Sequence, residues 1–168
     1  EIKKQKKAIK DKYLFAEILA SIVRINTLFM ITKAGSGHIG SSFSSTDIIT
    51  WLWLNELKNP NEFAKKKFDT YFSSKGHDVP AFYSLLIALG KIKFDYIHKL
   101  RALHGLPGHP DVGTDYIPTN TGSLGMGISK ARGMAIANRQ KGNRGRFFVL
   151  TGDGELQEGQ IWESLQPT

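Results

Sequence analysis

The chain has 168 residues, 40% of them hydrophobic, with 17 glycines, no cysteine and a formal charge of +8. This fits one soluble domain with a real core and many tight loops. It excludes a disulfide frame and a thiolate metal site, and it agrees with a cytoplasmic location. No apolar run reaches about 18 residues without a charge, so no membrane span is expected, and no signal peptide is recognisable.

Residues 1–12 carry six lysines (Lys3, Lys4, Lys6, Lys7, Lys10 and Lys12) against Glu1 and Asp11. A single-strand nucleic-acid binder would interleave aromatics with such charges, and none occur here. The stretch reads as a solvated, basic N-terminal extension to a domain spanning 13–168. Neither nucleic acid nor membrane is expected as a partner.

Tyr13 to Lys33 predicts a helix. Leu14, Ile18, Ile22, Ile25 and Phe29 recur at three- and four-residue steps and define its expected apolar face. Gly35 is placed to end it as a left-handed cap. His38 lies in the glycine-bearing loop that follows. Ser41 to Ser45 is polar, and Ser45 or Thr46 is expected to cap the next helix, Asp47 to Leu57. Trp51, Trp53 and Leu54 on that helix suit a core or a subunit interface.

Asn59-Pro60 breaks the chain. Phe68 to Ser73 predicts a strand, and Ser73-Ser-Lys-Gly-His-Asp78 sets His77 at a strand-to-helix turn. Pro80 suits a first helical position, with Ala81 to Leu89 the helix and Gly90 its end. Phe94 to Leu103 predicts a further short helix. The long loop from His104 to Gly122 holds three prolines and His109, and loops of such length are usually functional or disordered. Ser123 to Asn138 predicts a helix of small residues that lets another backbone pack closely.

Arg146 to Leu150 predicts a buried strand running into Gly152-Asp153-Gly154. In open α/β sheets, ligands bind outside the carboxyl ends of strands. A hard carboxylate beside exposed backbone N–H groups suits a Mg²⁺-bound diphosphate: oxygen to the metal, N–H to the phosphate. The alternative reading of such a turn is simply a turn. His38, His77 and His109 occupy three separate glycine-bearing loops. Gathered at one sheet edge, they would donate hydrogen bonds to phosphate and substrate oxygens and shuttle protons near neutral pH. The expected fold is α/β, a doubly wound, mostly parallel sheet flanked by helices.

Five runs come in one order along the chain: Ser36-Gly-His-Ile-Gly40, Ser74-Lys-Gly-His77, Leu106-Pro-Gly-His-Pro110, Thr121-Gly-Ser-Leu-Gly-Met-Gly127 and Gly152-Asp-Gly-Glu-Leu-Gln-Glu-Gly159. In order and spacing they resemble the amino-terminal half of transketolase, over about Tyr13 to Trp162. The resemblance implies a thiamine diphosphate-binding fold and an enzyme of the pentose phosphate pathway. Such enzymes move a two-carbon ketol unit between sugar phosphates with thiamine diphosphate and Mg²⁺ (or Ca²⁺). It further implies that Asp153 is a metal ligand, and that Gly152, Asp153 and Gly154 form the diphosphate turn. His38 and His77 would lie near the diphosphate and the substrate, and His109 near the reacting carbon. Gly122, Ser123 and Leu124 would line the cofactor's pyrimidine end. Glu158 and Glu163 would be buried near a dimer axis.

The run His38-Ile-Gly-Ser-Ser-Phe43 departs from the His-Pro of many full-length members and is similar to the amino-terminal chains of members split into two polypeptides. The family's second metal ligand, an asparagine, would fall beyond Thr168, so the resemblance implies a diphosphate domain truncated at its C-terminal end. It implies a partner as well, the C-terminal, pyrimidine-binding subunit or domain, and self-association as a homodimer or heterotetramer. The chain alone is expected to be inactive. Two alternatives stand beside this reading. One is another thiamine diphosphate enzyme, of the deoxyxylulose phosphate synthase or 2-oxo acid dehydrogenase kind. The other is a non-catalytic truncated homologue.

Overall fold

The computed structural model describes residues 8–63, 65 and 67–166. Of the six lysines of the basic extension, Lys10 and Lys12 fall among the described residues. Lys3, Lys4, Lys6 and Lys7 lie outside them, and so does most of that expectation. The described residues form two compact units, one drawn from 8–56 and 77–108, the other from 57–76 and 109–166.

The first unit is helical. Helix α1 spans Lys12–Ala34, α2 Ile39–Trp51 with a wider turn over Leu52–Glu56, and α3 Val79–Ala88. Asp11 caps α1 by accepting from the N–H groups of Tyr13 at 2.8 Å and Leu14 at 3.3 Å. Gly35 ends it in the left-handed region at φ 66°, as expected. Helices α1, α2 and α3 pack on one another in all three pairings. Their core holds Leu19, Val23 and Met30 of α1, Ile49 of α2 and Leu85 and Leu86 of α3. Ser84 of α3 donates to the Val23 carbonyl at 2.9 Å, satisfying a buried hydroxyl in that seam. Trp53 packs edge-on against Phe82 at 5.3 Å and is core. Among the described residues α1 alone is long and apolar enough to cross a membrane by length and composition. Glu17 and Arg24 fall inside it, and one face is packed on α2 and α3.

Three expectations are corrected here. The apolar stripe of Leu14, Ile18, Ile22, Ile25 and Phe29 is exposed, Ile25 to 68%, while Phe15, Ala16, Leu19, Ala20 and Val23 are buried. Helix α1 is apolar on two faces, so periodicity alone does not choose between them. The buried face is the one on which Ala16 and Ala20 admit close neighbours. Helix α2 begins at Ile39, so Ser41 to Ser45 lies inside it and neither Ser45 nor Thr46 caps it. Those hydroxyls turn back onto the helix instead, Ser45 to the Ser42 carbonyl at 2.9 Å and Thr46 to the same carbonyl at 2.8 Å. Finally, Phe94 to Leu103 is helical only as a 3₁₀ turn over Phe94–His98. Arg101 then takes φ 57°, and its N–H donates to the Leu106 carbonyl at 2.7 Å, reversing the chain.

The second unit contains strand β1 (Thr70–Ser73), helix α4 (Met126–Gln140), strand β2 (Phe147–Leu150), a 3₁₀ turn (Glu155–Gln157) and helix α5 (Gly159–Ser164). The strands run parallel, Thr70 beside Phe147 and Ser73 beside Leu150. Parallel strands need a crossover connection, and α4 enters β2 from that crossover. The starts of both strands are joined by Asp69. Its carboxylate accepts from the Arg146 N–H and side-chain Nη2, each at 2.8 Å, and from the Lys58 N–H at 3.0 Å. The free edge of β1 is closed by the buried Asn61. Its amide accepts from the Tyr71 N–H at 2.7 Å and donates to the Tyr71 carbonyl at 2.8 Å, as a neighbouring strand would. These two parallel strands with their helices form an α/β arrangement with the expected strand direction.

Candidate functional site

The carboxyl ends of β1 and β2 lead into Ser74-Lys-Gly-His77 and Gly152-Asp-Gly154. Glu155 lies between them and is 2% exposed. Its Oε1 accepts from the Ser74 hydroxyl and from the Gly125 N–H, the latter at 2.8 Å, and its Oε2 accepts from the Gly152 N–H at 3.2 Å. Ser74 Oγ accepts in turn from the Gly127 N–H at 3.0 Å. Sequence reasoning does not single out Glu155. A signal for it exists all the same: a carboxylate inside a glycine turn, where backbone donors need partners.

This changes the reading of the glycine turn. The Gly152 N–H is engaged by Glu155 and is not presented to a ligand. Asp153 and Gly154 remain exposed. Among the described residues, no protein group bonds the Asp153 carboxylate or the Gly154 N–H, and a Cβ at Gly154 would meet nothing within 4 Å. That pairing of a bare carboxylate with an open backbone donor fits a metal-bound anion. Thr121 Oγ1 is a buried hydroxyl with no protein partner, next to Gly122 in the chain. No three His, Cys, Asp or Glu groups among the described residues are arranged to hold a metal.

His109 is exposed and lies against Gly122. A Cβ on Gly122, which has φ 133°, would fall 2.7 Å from His109 Cδ2, so only glycine lets the ring rest there. A Cβ on Gly76, φ 72°, would fall 2.7 Å from the Gly122 nitrogen. Two glycines from distant motifs thus bring three chain segments into contact beneath His109. The loop carrying His109 is ordered. Asp111 accepts from the Gly113 N–H at 2.8 Å and from the Asn120 side chain at 3.1 Å, and Asn120 accepts from the Val112 N–H at 2.9 Å. Lys130 of α4 donates to the Asn120 carbonyl at 2.6 Å. Ser123 and Leu124 are exposed beside this loop, ahead of the buried Gly125.

In the first unit His38 precedes α2 and His77 precedes α3, and their rings approach to 4.8 Å between centroids. The structure therefore pairs His38 with His77, and separately pairs His109 with Gly122. Glu158 and Glu163 are exposed. The burial that the resemblance implies for them is not made by this chain's own residues. Glu158 Cβ would lie 3.1 Å from a Cβ on Gly125, so Gly125 gives it room.

Residues 16–166 match the family described as Transketolase, thiamine diphosphate binding domain. The chain is 36% identical, over 98% of its length and 56% of the relative's, to one of the subunits of the apulose-4-phosphate transketolase of Actinobacillus succinogenes. It is 37% identical, over 86% of its length and 54% of the relative's, to the 6-deoxy-6-sulfo-D-fructose transketolase subunit SqwG of a Clostridium species. It thus spans about half the length of these relatives. Among solved structures, transketolase from Leishmania mexicana matches with a TM-score of 0.80 at 29% identity, covering 89% of this chain and 24% of that one. Transketolase from Campylobacter jejuni matches with a TM-score of 0.77 at 30% identity, over 87% and 24%.

Proposed function

Because the chain belongs to the family of transketolase thiamine diphosphate binding domains, we propose that it is the diphosphate-binding part of a split transketolase. It works with a pyrimidine-binding partner chain, as a dimer of such pairs, to move a two-carbon ketol group between sugar phosphates in the cytoplasm. The observation that supports this best is the Gly152–Glu155 turn, which leaves Asp153 and Gly154 open at the end of β2. Both bacterial relatives are named as subunits, which supports a partner chain. Those relatives are named for different sugars, so the ketose acted on is set by testing.

Thiamine diphosphate, when bound, supplies the carbanion chemistry. The chain's own residues supply orientation and electrostatics. Asp153 would give an oxygen to Mg²⁺, and the Gly154 N–H would donate to a diphosphate oxygen. The paired imidazoles of His38 and His77 would donate to anionic oxygens. His109, exposed on its glycine seat, would donate to a substrate oxygen as charge develops there.

The test is ketol transfer from xylulose 5-phosphate to ribose 5-phosphate, with thiamine diphosphate and Mg²⁺ added. It is run on the chain alone and with the partner that co-purifies from its own cells. Activity only with the partner is expected. Condensation of pyruvate with glyceraldehyde 3-phosphate in its place would support a deoxyxylulose phosphate synthase. No turnover and no cofactor binding by the assembled protein would support a non-catalytic homologue.

A further inference from the structure

A buried carboxylate is costly unless its oxygens are bonded. Glu155 meets this with donors from three separate segments: Ser74 after β1, Gly125 before α4 and Gly152 after β2. Gly125 (φ 81°) and, through Ser74, Gly127 belong to the start of α4, where unpaired N–H groups and the helix dipole favour a negative charge. These donors face inward to Glu155, and its oxygens are engaged within the protein. Two residues earlier in the same turn, Asp153 faces solvent.

We propose that Glu155 is the positioning residue of the diphosphate turn. By fixing the Gly152 corner to Ser74 and Gly125, it holds the Asp153 carboxylate and the Gly154 N–H in the one backbone conformation that receives a metal-bound diphosphate. It acts through Gly152 and is not itself a metal ligand. The role rests on the thiamine diphosphate reading given above.

The test is Glu155→Gln in the complete enzyme, assembled with its pyrimidine-binding partner. Glutamine keeps the shape but sets an NH₂ group against a backbone N–H, donor to donor. Thiamine diphosphate affinity at fixed Mg²⁺ is measured without substrate by tryptophan fluorescence, and amide hydrogen exchange is measured in the cofactor-free protein. Affinity about ten- to a hundredfold weaker is expected from the loss of hydrogen bonds to a charged group. Exchange at Gly152 and Gly125 should quicken, and kcat at saturating cofactor should stay within about threefold of the wild type. A merely structural residue would lower stability without separating cofactor affinity from kcat. If Glu155→Gln does not assemble, Ser74→Ala removes one donor from the same carboxylate and should give a smaller loss of affinity in the same direction. Cofactor affinity within about twofold of wild type in the assembled variant overturns the proposal. A wild-type enzyme that binds no thiamine diphosphate overturns the functional reading itself, whereas a wild type that binds it beside an unaffected variant overturns only the role of Glu155.

Discussion

The two ends of the β1–β2 pair are each closed by a buried carboxylate, and the two are used differently. At the starting end, Asp69 bonds the backbone of Lys58 and both the backbone and guanidinium of Arg146. Every partner is a fixed structural group. At the finishing end, Glu155 bonds a hydroxyl and two glycine N–H groups, and the residues beside it stay open to solvent. A charge can spend its hydrogen bonds on closing a sheet or on shaping a turn that faces outward. Asp69 has a cation for a partner, which suits a permanent tie. Ser74, Gly125 and Gly152 are all neutral, so Glu155 orders its segments through them without adding a positive charge to the turn that Asp153 shares.

The finishing end tolerates little added volume. A Cβ on Gly127 would fall 2.2 Å from Ser74 Oγ and 3.0 Å from Ser74 Cα. Gly127→Ala should therefore push Ser74 off Glu155 and destabilise the protein by about 3 kcal/mol, as overpacking against backbone does. Thermal unfolding measures this, and an unchanged Tm would mean that the two segments are not held as closely as described.

At the starting end, Asp69→Ala leaves the Lys58 and Arg146 donors without their carboxylate and should cost about 2 kcal/mol. Cofactor affinity in the assembled enzyme should not change. Burial pushes the Asp69 carboxyl up, but the hydrogen bonds from the Arg146 side chain and from the Lys58 and Arg146 backbones, with the Arg146 charge, outweigh it and hold the group below its ordinary value of 3.8. A folded value below the unfolded one means that this stability is fully present above the ordinary value and is lost as pH falls through the folded value. The acid limb of a stability–pH profile should be shallower in Asp69→Ala than in wild type. An equal slope in both would show that Asp69 carries no such linkage.

Both strands, helix α3 and the Gly35 cap are legible in the sequence because each is written in local pattern. An apolar run leading into glycine, a proline at a first helical turn and a glycine after an apolar helix need no distant partner, although β2, expected to be buried, is only half-buried. The face of α1 is not legible, since Leu14, Ile18 and Ile22 alternate with Phe15, Leu19 and Val23 around a helix apolar on both sides. The start of α2 is ambiguous because serine and threonine hydroxyls suit a cap and also suit back-bonding within a helix. Of the candidate site, the histidines and Asp153 stand out by their motifs. Glu155 does not: the glycine turn hints at its bond to Gly152, but its other two partners lie 81 and 30 residues away. That part of its role depends on a tertiary meeting. The order in the His109 loop rests likewise on Asp111 meeting Asn120.

The smallest expected effect on stability is also the sharpest separation of the two ends. Asp153 is exposed, and among the described residues no protein group bonds its carboxylate. Asp153→Asn keeps the size of the side chain and removes only a charged oxygen. Surface changes that break no contact usually shift stability by no more than about 0.5 kcal/mol, so Tm should stay near that of wild type. A hard divalent cation prefers a full carboxylate to an amide. The Mg²⁺ concentration needed for half-maximal thiamine diphosphate binding should therefore rise by at least about tenfold, roughly the loss of one charge-assisted contact. The same substitution at Asp69 should do the reverse, lowering Tm and leaving the Mg²⁺ requirement alone. If Asp153→Asn unfolds the protein or leaves the Mg²⁺ requirement unchanged, the finishing end is a structural tie like the starting end, and the metal belongs elsewhere.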